Sequence, residues 1–206
     1  MSDTLKSLLD LINVENLEAD LFLGKVSKRS LRRVFGGHVI AQALVAATRT
    51  IEGRSIHSLH ANFLRPGDPK KPIMYEVDRI RDGRSFSSRC VVARQHDRII
   101  YYMSASFQTP ETGVEHQIKM PDVPRPDELP DEMDRRKSLV HLMPEDSRDR
   151  FLSERAIEVR PIDPRLPLNP EPAPPVSQYW VRARAVLPTD FGLHECLLAY
   201  ASDMTL

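Results

Sequence analysis

The sequence has few of the features that mark secreted, membrane-spanning or nucleic-acid-binding proteins. It holds only two cysteines in 206 residues, Cys90 and Cys196, which are too few and too far apart for a disulfide framework or a zinc site. The 29 basic and 29 acidic side chains cancel, so charge gives no reason to expect binding to nucleic acid or to an anionic membrane surface. No run of 18 apolar residues could span a bilayer, and the first residues lack the layout of a signal peptide. These absences predict a soluble intracellular protein.

Several common catalytic motifs are also missing. No Gly-x-Ser-x-Gly sequence occurs, so a nucleophile elbow is not supported. The pair Gly36-Gly37 lacks the third glycine and the lysine of a phosphate-binding loop. No group of histidines, cysteines and carboxylates has the spacing of a metal site, and we therefore predict no bound metal.

The stretch 34–51 predicts a long buried helix. Apolar residues cover most of its circumference, and only His38, Gln42 and Arg49 form a narrow polar stripe on one face. Gly36-Gly37 allows the chain to turn sharply into this helix and leaves backbone N–H groups free at its positive end.

Strand patterns surround this helix. A strand is predicted over 21–26, and four more follow the helix over 56–64, 73–81, 86–94 and 99–107, with Asp82-Gly83 as a strong hairpin signal. In the first of these four, Leu59, Ala61 and Phe63 alternate with polar residues. Residues 20–109 therefore predict an antiparallel sheet wrapped on one long helix, an α+β fold.

The rest of the chain differs in composition. The range 110–176 holds 13 of the 17 prolines and reads as an extended linker with two short helices, over 138–143 and 149–157. A strand over 178–187 and a second apolar helix starting near Leu193 follow. We divide the chain into an N-terminal unit 1–109, a linker 110–176 and the start of a second unit, 177–206.

The second helix repeats the first. Phe35-Gly36-x-His38 matches Phe191-Gly192-x-His194, and the same alignment places Asp203 on Ala47, so we infer an internal duplication. Four more strands would be needed to complete the second copy. We therefore expect it to be incomplete, the chain to be cut or a fragment, and Leu197, Leu198 and Tyr200 to be exposed.

Asp203 is the main candidate for chemistry. It is placed near the middle of an apolar helix, where an acid is costly unless it is paired or used. An acid on the solvent face, or one bonded to the linker, would fit the spacing equally well. His60 on the polar side of a central strand, and Arg84-Ser85 at a hairpin tip, are further candidates that ordinary structural roles would also explain.

Four separated motifs give the chain its resemblance to a known family. They are 34–44 (VFGGHVIAQAL), 60–68 (HANFLRPGD), 82–86 (DGRSF) and 200–203 (YASD). Together, in this order, they resemble acyl-CoA thioesterase II.

The resemblance implies a double hot-dog fold, here with an incomplete second copy. It also implies hydrolysis of acyl-CoA thioesters to free fatty acid and CoA, a reaction of lipid metabolism that needs no cofactor. In the family an aspartate, a threonine and a glutamine activate a water, and only the aspartate maps onto this sequence, as Asp203. We expect substrate contacts from Gly36, Gly37, His60, Arg84 and Ser85, with Gly36-Gly37 as a source of oxyanion donors.

Two other functions stay open at this point. One is a hot-dog CoA-ester hydratase or dehydratase, although its usual histidine after the aspartate is missing, since only Met-Thr-Leu follows Asp203. The other is a non-catalytic fragment that binds acyl-CoA or a partner. The resemblance further implies a homo-oligomer joined through hot-dog sheets, and a cytoplasmic location, or a peroxisomal one in a eukaryote.

Overall fold

The computed structural model describes residues 2–27, 32–164, 172 and 174–205. They form two compact units, one built from 1–5 and 114–186 and the other from 6–113 and 187–206. The division into 1–109, 110–176 and 177–206 stays a prediction.

Within the described residues, five α-helices and eight strands build these units. The helices are α1 (Asp3–Ile12), α2 (Gly36–Thr48), α3 (Glu132–Leu139), α4 (Glu145–Leu152) and α5 (Phe191–Ala201). The strands are β1 (Val14–Glu18), β2 (Leu21–Gly24), β3 (Ser55–Phe63), β4 (Ile73–Asp82), β5 (Phe86–Gln95), β6 (Arg98–Gln108), β7 (Ile157–Pro161) and β8 (Tyr179–Ala183).

In the unit 6–113 and 187–206, six strands form one antiparallel sheet in the order β1-β2-β4-β5-β6-β3. Helix α2 is buried along nearly its whole length. The predicted antiparallel sheet around one buried helix is confirmed. Strand β1 was not predicted, because after Val14 its side chains are exposed and give no apolar alternation.

Strand β3 corrects one expectation. It is an edge strand and not a central one, because in the described part of the chain it pairs with β6 alone. Phe63 pairs with Tyr101 and Leu59 with Ala105, so the apolar side of β3 faces the same way as the buried side of β6. At the edge this side is only partly covered, and Phe63 is 53% exposed.

The polar stripe of α2 ties the helix to its surroundings. The Gln42 side-chain amide donates to the carbonyls of Leu11 (2.6 Å) and Lys25 (2.9 Å), and its oxygen accepts from the Tyr75 hydroxyl at 2.8 Å. A Cβ on Gly24 would overlap both the Gln42 amide and the Tyr75 ring. Gly24 is therefore the residue that makes room for this buried network.

His38 lies one turn before Gln42 and is also buried. Neither of its ring nitrogens makes a hydrogen bond of normal geometry within the described part of the chain. Burial lowers the pKa of His38 to about 4, and the Lys25 backbone opposes this shift only in part. The imidazole is therefore held neutral in the core at neutral pH.

The unit 1–5 and 114–186 is built differently. Strands β7 and β8 pair antiparallel, and α3 packs on β7. Two buried acids organise this unit. Glu132 meets the Arg136 guanidinium at 2.7 Å, while Glu158 accepts from Arg160 at 2.7 Å and also pairs with Arg182.

The helices of this unit depart from the predicted ones. They begin at Glu132 and Glu145 instead of 138 and 149, and Ile157 starts a strand. Asp131 caps α3 by accepting from the Met133 N–H at 2.7 Å, a signal that lies upstream of the predicted start.

Gly24→Ala is expected to destabilise the unit 6–113 and 187–206. The added methyl group forces Gln42 and Tyr75 apart, which should cost about 1–3 kcal/mol of unfolding free energy. Urea unfolding followed by circular dichroism measures the change. Gly113→Ala is the matched control, because a Cβ there meets nothing within 4 Å. If the two variants unfold at the same urea concentration, Gly24 is not needed to make room for Gln42 and Tyr75.

His38 should make stability depend on pH between about 6.5 and 4. In this window the unfolded chain binds a proton that the folded chain does not, so the unfolding free energy falls as pH falls, by up to about 1.4 kcal/mol per pH unit. His38→Leu should flatten this decrease, and His60→Leu, at an exposed position, should not. Urea unfolding at several pH values measures how the unfolding free energy changes with pH. If His38→Leu keeps the pH dependence of the unchanged protein, this prediction is wrong.

Candidate active site

Helices α2 and α5 lie side by side and antiparallel. At one end the Gly192 Cα faces the Thr48 methyl group, and at the other Gly37 faces the Tyr200 carbonyl. The packing buries Leu197 of α5, against our expectation that it would be exposed, while Leu198 is 70% exposed as expected. The second helix therefore covers the first one.

The absence of side chains at Gly36 and Gly37 permits this contact. A Cβ on Gly37 would overlap the Tyr200 carbonyl oxygen. A Cβ on Gly36 would lie 2.6 Å from Asp203 Oδ2 and 2.8 Å from Phe63 Cζ. Both distances are below what a real Cβ shows, so the two glycines are needed for close approach.

We had expected Asp203 to lie within the second helix, but it lies just beyond the end of that helix. Helix α5 ends at Ala201 with Ser202 as its C-cap, and Asp203 follows in a turn. This turn is held by the Met204 N–H, which donates to the Ala201 carbonyl at 3.0 Å. The end of α5 thus delivers the carboxylate onto the start of α2.

The Asp203 carboxylate is held by the backbone of α2. The N–H of Gly37 donates to Asp203 Oδ2 at 2.8 Å, and the group is partly buried. A helix N-terminus favours a neighbouring negative charge. The second oxygen, Oδ1, accepts no hydrogen bond from any residue that the structure describes, so this oxygen can still accept a proton.

This arrangement changes the expected role of the glycine pair. We had expected both glycines to offer oxyanion donors, but the Gly37 N–H already serves Asp203. The N–H of Gly36 has no acceptor among the described residues. Gly36 is therefore the donor of the pair that is left for a substrate oxygen.

Aromatic rings frame the carboxylate. The rings of Phe35 and Tyr200 meet edge to face with centroids 5.2 Å apart, and Phe63 packs on Tyr101 at the same separation. Phe63 and Asp203 both approach the Cα of Gly36. Phe35, Phe63 and Tyr200 were not predicted as site residues, although all three lie within the motifs that carry the resemblance.

His60 lies on the other face of the sheet. It pairs with Ser104, whose neighbours Met103 and Ala105 point to the buried side, so His60 points away from α2 and Asp203. Its side chain is exposed. The structure therefore does not bring His60 together with the carboxylate.

Arg84 and Ser85 lie at the opposite end of α2. Arg54, just after this helix, donates to the carbonyls of Gly83 (2.6 Å) and Arg84 (3.3 Å). Helix α2 has 13 residues, a length of about 20 Å at 1.5 Å per residue. Of the candidates, only Gly36, Gly37 and Asp203 come together.

Metal-binding and membrane-spanning features were sought in the residues that the structure describes. Within the described residues, no group of three or more histidines, cysteines or carboxylates could hold a metal ion. In the same part of the chain, every helix is too short or too polar to cross a bilayer.

Comparison with known proteins identifies the family. Residues 27–108 match the family model described as acyl-CoA thioesterase N-terminal domain, and residues 146–206 match the one described as acyl-CoA thioesterase. The chain is similar to acyl-CoA thioesterase 2 of Haemophilus influenzae, with 41% identity over 204 residues, 98% of this chain and 71% of that protein.

Two solved structures are similar to this chain over most of its length. The acyl-CoA thioesterase II TesB2 of Mycobacterium marinum shares 36% identity with a TM-score of 0.72, over 97% of this chain and 68% of that one. A protein of Alicyclobacillus acidocaldarius described as having a hot dog fold shares 21% identity, also with a TM-score of 0.72, over 97% and 69% of the two chains. The α+β fold is thus a hot-dog fold, and the chain belongs to the acyl-CoA thioesterase II family.

Proposed function

We propose that this chain hydrolyses acyl-CoA thioesters to free fatty acid and CoA, with Asp203 as the base that activates a water. The observation that carries the proposal is the Gly37 N–H bond to Asp203 Oδ2, 2.8 Å long, which orients the carboxylate and leaves Oδ1 open. The names of the relatives, which are acyl-CoA thioesterases, support the same reaction.

The chemistry needs no covalent nucleophile. Asp203 Oδ1 takes a proton from water while the water oxygen adds to the thioester carbonyl carbon. The carbon–sulfur bond then breaks, and the proton held by Asp203 passes to the departing thiolate. A positioned general base of this kind contributes about 10² to 10⁴ in rate.

The carbonyl oxygen becomes negative when water adds. The N–H of Gly36, which has no acceptor among the described residues, sits at the positive end of α2, where it can stabilise this charge. The exposed ring of Phe63 beside Gly36 offers an apolar surface for the first carbons of the acyl chain. The Asp203 carboxylate, the Gly36 N–H and the Phe63 ring thus lie around one point.

The alternatives from the sequence are weaker. The relatives reported above are named acyl-CoA thioesterases, which does not favour a hydratase or dehydratase. A non-catalytic binder would leave the thioester intact, so release of free CoA, detected with a thiol reagent, separates the two. Contacts from His60, Arg84 and Ser85, a homo-oligomer, and a cytoplasmic or peroxisomal location stay predictions.

Replacing the base tests the proposal directly. Asp203→Asn keeps the size of the side chain but removes its basic oxygen, so kcat should fall at least about tenfold with little change in KM. Acyl-CoA hydrolysis is measured in the protein that carries this chain. The control is His60→Ala on the opposite face of the sheet, which should change kcat less. Activity within twofold of the unchanged protein in a folded Asp203→Asn variant would refute the proposal.

Adding one methyl group at Gly36 tests the positioning of the base. Gly36→Ala places a Cβ against Asp203 Oδ2 and Phe63, so the carboxylate must move and kcat should fall about tenfold or more. Gly192→Ala is the matched control, because its Cβ would meet a Thr48 methyl group at 3.3 Å, far from Asp203. If both substitutions lower kcat equally, Gly36 has no special role at the site.

A further inference from the structure

A polar pit of about 410 Å³ lies at the C-terminal end of α2, about one helix length from Asp203. Its charged lining consists of four arginines and two acids: Arg49, Arg54, Arg79, Arg89, Glu52 and Asp82. All of them belong to the unit 6–113 and 187–206. The catalytic proposal uses none of these residues.

Arg89 forms the floor of the pit and has a structural role. Its side chain is buried, and it donates to Thr50 Oγ1 at 2.7 Å, to the Thr50 carbonyl at 3.0 Å and to Asp82 Oδ1 at 2.8 Å. Asp82 therefore neutralises Arg89. The floor is rigid but brings no excess charge.

The walls carry the uncompensated charge. Arg49 donates to the Val14 carbonyl and the Asn13 amide oxygen, and both partners are uncharged. Arg54 likewise has uncharged partners, the Ser87 hydroxyl and the carbonyls of the β4–β5 turn. Glu52 and Asp82 are the two acids among these lining residues, and Asp82, which Arg89 binds, also feels the charge of Arg54.

Arg79 adds guanidinium N–H groups that remain available to a ligand. Its Nε donates to Asp20 at 2.9 Å, but its two terminal amino groups donate to no residue in the described part of the chain. The exposed Arg81 and Arg84 lie at the same hairpin and extend the basic character of the rim. The pit thus combines fixed walls, open guanidinium donors and a positive excess.

Guanidinium groups bind phosphate with two parallel hydrogen bonds, and several of them around one pit favour an anion with more than one phosphoryl group. We propose that this pit binds the diphosphate or adjacent phosphate groups of a small molecule. The phosphates could come from the nucleotide part of CoA or from a separate phosphorylated metabolite. The chemistry of recognition is the same in both cases.

The experiment titrates the protein with inorganic pyrophosphate in isothermal calorimetry. Arg79→Gln and Arg54→Gln should each weaken binding at least about tenfold, because each removes a charged donor from the wall. Arg98→Gln is the matched control, since it removes one exposed arginine at the β5–β6 turn and should change Kd less than twofold. Arg79 makes a single exposed ion pair, so its variant should fold even if Arg54→Gln does not.

A competition experiment with CoA identifies the source of the phosphates. If CoA displaces pyrophosphate, the pit holds the nucleotide part of CoA. If CoA and pyrophosphate bind together, it serves another phosphorylated molecule. Absence of pyrophosphate binding, or equal Kd values in the wall and control variants, overturns the proposal. Because no turnover is measured, this outcome is independent of the role of Asp203.

Discussion

The close contact between the start of α2 and the end of α5 is the constraint on which the candidate site depends. Two backbones can meet there because Gly36 and Gly37 have no Cβ atoms. The contact gives the Gly37 N–H a carboxylate acceptor, which satisfies a group that a helix start otherwise leaves to water. A larger residue at either position would separate the helices and move the base away from its donor.

Helix α2 also links the two ends of its unit. Its apolar sides make it a core element, while its polar stripe makes specific bonds: Gln42 reaches α1, Lys25 just after β2, and β4, and Arg49 reaches β1. His38 stays neutral in the same stripe. The N-terminal end of the helix holds the carboxylate site, and the C-terminal end opens on the arginine-lined pit. One helix thus separates two charged regions by about 20 Å.

The unit 1–5 and 114–186 relies on a different balance. Its range is rich in proline and poor in regular alternation, yet Glu132 and Glu158 are buried and surrounded by arginines. Buried ion pairs of this kind contribute little net stability, because desolvation offsets the attraction. They are costly to break, however, since removing one partner leaves an unpaired buried charge. The pairs therefore favour one arrangement of β7, β8 and α3.

Elements with local signals could be predicted from the residues alone. The apolar circumference of 34–51 indicated a buried helix, the alternation after it indicated strands, and the acid opposite Ala47, together with the motifs, singled out Asp203. Other features became visible only in the folded chain: β3 lies at an edge, His60 points away from the carboxylate, and Asp203 follows α5 and meets the Gly37 N–H. Folding also brought Arg49, Arg54, Arg79 and Arg89 together in one pit. Periodicity indicates which face of an element is buried, whereas sheet order and helix contacts join residues that are far apart in the chain, so these contacts leave no local pattern in the sequence.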